Sequence, residues 1–503
     1  MDRFISDHVS ISHESLKGKS VIIDAGCGAG KTTAALKLAK ELRGKERMLF
    51  ITTRRADAEK LSVRVTMEGI EDIVDVMTIQ RFENAIQRDD INGATFLKRY
   101  QVVVIDEAHY WLTDILFSES SVLSYEAVKS FSQSVSGTDK VLLMMSATPE
   151  RIRNIFPGTR LMRFPKQTSH IRQIVFVPAE DYILQAGILI NRSVEQRRKG
   201  IIFVRKKDDA AKILQEAGQR AERVAVFTAE HRPKCGADGG FGIPPGKSIV
   251  VATSVLAFGV DYNDPDIDWV MTNETDKILA VQELGRRRCY NGETVDYYVS
   301  DYSTDYLKRQ YADYVKKLHE AEEYEADPNR FFGAGGAWYE GILRDNRCFT
   351  VRRHTEKLSL VVPYMELCRR FDDDLKKLES GETTWKDMIV TLLGFDVDEK
   401  TPVKPYEDVV SEDVIDVLKE LHQKTLLRKE DWKKVGKALR AKNETHLGAG
   451  IRYKAGSSIS SPAVIDKYIG IYGYTAGKRK QKLINGKIIS YYPLIKKENE
   501  LIL

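Results

Sequence analysis

The segment Ala25-Gly26-Cys27-Gly28-Ala29-Gly30-Lys31-Thr32 constrains this chain more than any other. It follows the aliphatic run Ser20-Val21-Ile22-Ile23-Asp24 and precedes Thr33 to Leu42, where apolar residues recur at helical spacing. Strand, glycine turn, helix is the setting in which backbone N–H groups and a helix N-terminus wrap phosphate oxygens. Gly26, Gly28 and Gly30 let the backbone approach phosphate, with Lys31 as the charge on the β and γ phosphates, Thr32 as an Mg²⁺ ligand and Thr33 beside them. The strict phosphate-loop pattern has Gly where this chain has Ala25.

Other unbroken aliphatic runs follow at 48–51, 102–105 and 141–144, too apolar for a sheet with one wet face, so they read as buried parallel strands. A second set begins at Gln173 and continues through 200–204, 224–227, 248–252 and 269–271. The chain thus reads as α/β, with units at 1–165 and 166–303. Long charged helical patterns after Ser300 predict a mainly helical region over 304–400, and 401–503 reads as a basic C-terminal module. Within that module, Asn485-Gly486 between alternating arms predicts a hairpin, and a helix pair capped by such a hairpin reads as winged-helix-like.

A chain of 503 residues is about three times a ~150-residue domain, which agrees with several folded units. No apolar run approaches the ~20 residues that cross a bilayer, so no membrane partner is expected. The N-terminus has no signal-peptide pattern, and five scattered cysteines without a C-x-x-C pair exclude a disulfide framework and a structural zinc site. The cytoplasm is the expected location. From Leu421 onward there are 18 Lys and Arg against 6 Asp and Glu, a surplus of 12, while the preceding 420 residues carry −7. A basic end on an acidic body predicts a polyanionic partner, with a solvated lysine face as the other reading.

The run at 102–105 ends in Asp106-Glu107-Ala108-His109, placing two carboxylates past the C-terminal end of a buried strand, where open α/β sheets bind ligands. Asp106 suits an outer-sphere hold on Mg²⁺. Glu107 suits a base that orients water, because phosphoryl transfer needs positioning and charge neutralisation.

With Ser146-Ala147-Thr148 after the next run, these residues resemble superfamily 2 helicases of the DEAD/DEAH group over roughly residues 20–300. That family commonly has Ala where this chain has Ala25. The resemblance implies two tandem RecA-like domains, and ATP and Mg²⁺ as cofactors. It also implies nucleic-acid backbone contacts at Thr53, Arg54 and Thr78, with Arg205 near motif IV. Thr253 through Gly259 and Asp261 match motif V, with Gly259 and Asp261 near the nucleotide. Gln282-Glu283-Leu284-Gly285-Arg286-Arg287-Arg288 matches motif VI, whose arginines reach the γ-phosphate across the cleft. His109, Ser146 and Thr148 are implied as coupling residues.

Motif VI departs from the usual spacing. Cys289 stands where an arginine is common, and Arg288 stands one place earlier, as in the G-R-x-R variant of some phage and mobile-element helicases. The finger is Arg286, Arg288 or both. The adenine-reading glutamine motif of DEAD-box RNA helicases is missing, since the first glutamine is Gln80. These features favour DNA over RNA and a role in replication, recombination or repair. Two alternatives stay open: a DEAH-type RNA helicase, and a nucleic-acid-stimulated ATPase that remodels complexes without unwinding. In the tail, Lys478, Arg479 and Lys480 with Tyr491 and Tyr492 suit phosphate contact and base stacking. A small bundle with a lysine face and core tyrosines is the alternative.

Overall fold

The computed structural model describes residues 5, 11–26, 29–53, 55–88, 93–113, 121–149, 151–166, 168–228, 240–253, 261–289, 292–329, 345–351, 358–396, 401–404, 406, 417–422, 424, 427, 431–432, 435–436, 462–469, 474–484 and 487–496. The first sheet contains β1 (Lys19–Asp24), β2 (Met48–Thr52), β3 (Val74–Thr78), β4 (Val102–Ile105), β5 (Val141–Ser146) and β6 (Arg160–Arg163) in the order β3-β2-β4-β5-β1-β6. All its pairings are parallel. β2, β4 and β5 are buried along their whole length, and alternate side chains serve two cores. Val102, Val104, Val141 and Leu143 pack with Phe50 and Leu38, while Val103, Ile105, Leu142 and Met144 pack with Phe82, Trp111 and Phe131. Helices therefore cover both faces, as the unbroken aliphatic runs require.

The second sheet contains β7 (Ile171–Pro178), β8 (Lys199–Val204), β9 (Val224–Phe227), β11 (Ile249–Thr253), β13 (Ile267–Thr272) and β14 (Val295–Asp301), also all parallel. Its order is β7-β14-β13-β8-β11-β9. Short strands β10 (Gly240–Phe241) and β12 (Asp261–Tyr262) pair beside it, and β15 (Phe349–Val351) pairs antiparallel with β16 (Leu358–Leu360). The protein is thus α/β with two RecA-like sheets followed by helices.

The helices after 304 are not set apart from the second sheet. Thr304–Ala326 places Leu307, Tyr311, Leu318 and Ala321 on one stripe, at the 3–4 spacing of an amphipathic helix. That stripe shares one continuous core with Ile174, Phe176 and Tyr297 of the sheet, and with Met365, Phe371 and Trp385 of the two later helices. Buried ion pairs join them, Arg370 with Asp276 and Lys277 with Asp374. Removing one partner of such a pair costs about 3–5 kcal/mol, because the other charge stays buried alone. The second sheet also takes an edge strand from further on. β17 (Val403–Lys404), which the sequence assigns to the C-terminal module, pairs parallel with β7, and the Tyr406 hydroxyl donates to Gln185 Oε1 at 3.3 Å.

The C-terminal segment has its own small core of Leu418, Leu421, Trp432, Ile465, Ile469, Tyr474 and Leu494. β18 (Tyr474–Ala476) pairs antiparallel with β21 (Leu494–Lys496), and β19 (Lys480–Ile484) with β20 (Lys487–Tyr491). The arms pair as far as Ile484–Lys487, and the Asn485-Gly486 expected to turn between them lies outside the described residues. Among the described residues, no helix is long and apolar enough to cross a membrane.

Candidate functional site

In the first sheet β4, β5 and β1 are neighbours, so the loops after these strands converge within two ~4.8 Å strand spacings. The glycine loop follows β1, Asp106 to His109 follow β4, and Ser146 to Thr148 follow β5. Gly30 has φ 82° as it enters the helix Lys31–Ala39, a left-handed backbone that favours glycine. That turn brings the Lys31 amine back into the loop, where Nζ donates to the Ala25 carbonyl at 2.8 Å and the Gly26 carbonyl at 3.1 Å. Thr32 is half-buried in the first helical turn, and Thr33 Oγ1 accepts from Arg64 Nη2 at 3.1 Å, which ties two helices together. Cys27 and Gly28 lie outside the described residues.

The acidic turn is built by a change of neighbour. Asp106 N–H donates to Ile51 of β2, whereas Ala108 N–H donates to Met145 of β5, both at 2.9 Å. The chain crosses between them at Glu107, whose φ of 53° is a left-handed conformation costing a non-glycine residue of order 1 kcal/mol. Desolvation pushes the Asp106 carboxyl well up from its ordinary value, and neighbouring Glu107 and Asp57 push it further, with Lys31 opposing. Asp106, half-buried just past the end of β4, and Thr32, half-buried in the first turn after the glycine loop, are the oxygen donors here that would hold Mg²⁺. Burial also raises Glu107, but His109, Lys31, Arg286 and Arg288 outweigh it and hold its carboxyl below the usual range. Burial, with help from Arg286 and Lys31, lowers the His109 pKa against the opposing pull of Glu107.

A hydrogen-bond network crosses from this unit to the next. His109 Nδ1 lies 3.1 Å from Ser146 Oγ and 3.3 Å from Glu107 Oε2, and Thr148 N–H donates to Ser146 Oγ at 3.0 Å. From the second unit, Gln282 Nε2 donates to His109 Nε2 at 2.7 Å and to Thr148 Oγ1 at 3.2 Å. His109 thus bridges Ser146 and Glu107 of its own unit and Gln282 of the other.

The three motif VI arginines divide by backbone alternation. Tyr262 N–H donates to the Arg286 carbonyl and Arg288 N–H donates to the Tyr262 carbonyl, so this stretch runs as an extended bridge beside β12. Successive side chains of extended backbone face opposite ways. Arg287 turns inward, with Nη2 donating to Glu293 at 2.8 Å and Nε to the Ile267 carbonyl at 3.3 Å. Arg286 and Arg288 both act electrostatically on Glu107 across the cleft.

The expected nucleic-acid residues also sit at strand ends. Thr53 follows β2, Thr78 ends β3 and Thr253 ends β11, while Thr78 Oγ1 accepts from Arg81 N–H at 3.2 Å and so caps the next helix. Arg205 follows β8, with Nη2 donating to Gln310 at 3.2 Å and Nε 3.7 Å from Glu274, so its side chain is engaged within its own unit. Asp261 begins β12 opposite Gly240, and Arg54 and Gly259 lie outside the described residues. In the C-terminal segment Lys478, Arg479 and Lys480 are exposed, Arg479 Nη2 donates to Ser490 at 2.9 Å, and Tyr491 lies opposite Lys480. Tyr492 packs against the small core. Three residues near the site carry no local motif. Asp57 acts on Asp106, Arg151 contacts the helix Val362–Glu379, and Lys166 runs past Gly26, where an added Cβ would lie 3.9 Å from it. Lys166 Nζ also donates to the Leu392 carbonyl at 3.1 Å.

No protein-family profile matches the chain, and no curated protein matches it. Solved structures do. Saccharomyces cerevisiae Dbp5 bound to RNA and ADP-BeF3 is 16% identical at TM-score 0.40, over 56% of this chain and 79% of that one. The Escherichia coli DExH-box NTPase HrpB is 15% identical at TM-score 0.42, over 92% of this chain and 60% of that one. Mycobacterium smegmatis helicase Lhr bound to single-stranded DNA and AMP-PNP is 15% identical at TM-score 0.40, over 68% and 56%.

Proposed function

We propose that the protein is an ATP- and Mg²⁺-dependent motor of helicase superfamily 2 that unwinds or translocates along nucleic acid, with DNA as the preferred substrate. The observation that carries this reading is Gln282 of the second unit meeting His109 at 2.7 Å and donating to Thr148 of the first at 3.2 Å, with Arg286 and Arg288 acting electrostatically on Glu107. A site completed from two units couples hydrolysis to their relative motion. Lys31 neutralises the β and γ phosphates, and Thr32 and Asp106 would hold Mg²⁺, which would supply further charge neutralisation. Glu107 orients the attacking water and takes its proton. His109 links that base to Ser146 and, through Gln282, to the far unit. At least one of Arg286 and Arg288 stabilises charge developing on the γ-phosphate. The missing glutamine motif, the G-R-x-R spacing and the basic C-terminal segment support DNA, and with it a role in replication, recombination or repair.

The test is ATPase stimulation by single-stranded DNA, duplex DNA, forked DNA and RNA. Largest stimulation by DNA is the expected result. Stimulation by RNA alone would make the protein a DEAH-type RNA helicase, and none by any of the four would overturn the motor reading. A second reading, an ATPase switch that remodels without unwinding, is favoured by the helix Val362–Glu379, which touches both units. Normal stimulated ATPase with no strand separation or translocation would support it.

The C-terminal segment is expected to grip the nucleic-acid backbone. Ending the chain before Val417 leaves Val403–Lys404 and Tyr406 with the second sheet. In a salt titration of fluorescent-DNA binding, that truncation should lower affinity and flatten a log–log slope of about −0.7 to −0.9 per phosphate contacted. Basal ATPase should survive. Charge reversal at Lys478, Arg479 and Lys480 should reproduce most of the loss, and Tyr491→Ala should cost roughly 1–3 kcal/mol of binding where it stacks on a base. Tyr492→Ala should instead lower the thermal midpoint, since Tyr492 packs on the local core. Equal affinity and slope for truncated and full-length protein would make the segment a solvated bundle.

A further inference from the structure

The helix Val362–Glu379 touches three elements that leave the nucleotide site. On the first unit it packs against Tyr110–Thr113, which follows His109 directly, and against Ile152–Ile155, just beyond Thr148. Arg151, held at φ 69°, pairs with Asp373 and lies 3.6 Å from Glu366, while Asn154 Nδ2 donates to Glu366 Oε2 at 2.8 Å. On the second unit Lys277 Nζ donates to Asp374 at 2.8 Å, and Arg370 pairs with Asp276. Asp276 in turn caps the helix Lys277–Leu284 that carries Gln282.

The two attachments differ in kind. Towards the second unit, the four paired side chains are 1–10% exposed, and the helix contributes Met365, Leu367, Phe371 and Leu375 to that unit's core. Towards the first unit, Asp373 is 38% exposed and Arg151 18%, Glu366 alone is buried at 7%, and Val362 packs at the edge of the core. A charged, partly wet contact is weakened by salt and reforms readily, whereas a core contact does not. The helix is therefore part of the second unit and holds the first through a polar latch.

We propose that Val362–Glu379 is a strap that sets how the two units close on the nucleotide, with Arg151, Asn154, Glu366 and Asp373 as positioning residues of its releasable end. Arg151 stands three residues after Thr148, and Asp276 caps the helix that carries Gln282. The strap thus joins both halves of the network around His109. A charged latch on a rigid arm is a two-position element of the kind that both sites can bias. This inference rests on the proposed ATP site for its consequence but on interdomain geometry for its test.

Donor and acceptor dyes carried on non-natural residues at the exposed positions Lys45 and Gln215 report the distance between units in the full chain without nucleic acid. In the same proteins, ATPase is read at saturating DNA. The unsubstituted protein should show a closed population that shrinks as salt rises. Arg151→Gln and Asp373→Ala should widen the distance distribution, remove its salt dependence, and lower kcat roughly 3- to 30-fold with KM for ATP and thermal midpoint unchanged. Asp373→Glu, which keeps the charge, should restore both readouts. Lys308→Gln, which removes an exposed pair with Glu379, should behave like the unsubstituted protein. Unaltered distances and kcat in Arg151→Gln and Asp373→Ala would overturn the strap. An unsubstituted protein without ATPase, yet with distances that depend on salt and on Arg151, would sink the motor reading and leave the strap standing.

Discussion

Glu107→Gln is expected to leave ATP bound and unhydrolysed, whereas Lys31→Ala is expected to lose the nucleotide. The amide keeps the shape and hydrogen bonding of Glu107 but cannot take a proton, so turnover should fall by at least 10²-fold, the scale of a general base. Burial pushes this carboxyl up, but charges of both units outweigh it and hold the carboxyl below its ordinary range. Lys31 plays the other part. Its amine sits 2.8–3.1 Å from the Ala25 and Gly26 carbonyls, inside the loop that would receive the phosphates. Nucleotide titration and single-turnover hydrolysis separate the two variants. Wild-type hydrolysis by Glu107→Gln would assign the base to another carboxylate.

The second large effect is expected at motif VI, and it should follow the alternation of the backbone. Arg286→Ala and Arg288→Ala, assayed at saturating nucleic acid, should retain nucleotide binding, and at least one should lose roughly 10³-fold or more in hydrolysis, the scale of an arginine finger. Arg287→Ala should do something else. Its guanidinium is buried against Glu293 and the Ile267 carbonyl, so its loss should cost about 1–3 kcal/mol of stability with hydrolysis retained in the folded fraction. Thermal unfolding beside ATPase measures both. Normal hydrolysis by both outer variants would mean that the two units do not form a composite site.

The sheets and the glycine turn between β1 and the helix Lys31–Ala39 were legible because their signals are short-range. A glycine turn between a strand and a helix occupies eight residues, and Asp106-Glu107 follows its strand without a gap. The aliphatic runs at 102–105 and 141–144 declared strands covered on both faces, and the structure buries every residue of both. The helices after 304 were legible as helices but not as part of the second unit. Their apolar stripe shows that a face is covered and does not identify the covering partner, which proved to be the second sheet itself. Val403–Lys404 carried still less signal, since an exposed two-residue edge strand is held by backbone hydrogen bonds.

What the sequence determined by itself was the chemical inventory: a glycine loop with its lysine, a paired carboxylate, an arginine cluster and a basic C-terminal segment. Which of these meet was decided by the tertiary structure. Gln282 reaches His109 across 173 residues, Thr148 across 134, and Arg151 meets Asp373 across 222. No local propensity encodes such pairings, because they follow from strand order in two sheets and from how the sheets are brought together. The division of the three arginines is a smaller case of the same rule. Their run is uniform in sequence, and the bridge at Tyr262 sets Arg287, held by Glu293 and the Ile267 carbonyl, apart from Arg286 and Arg288.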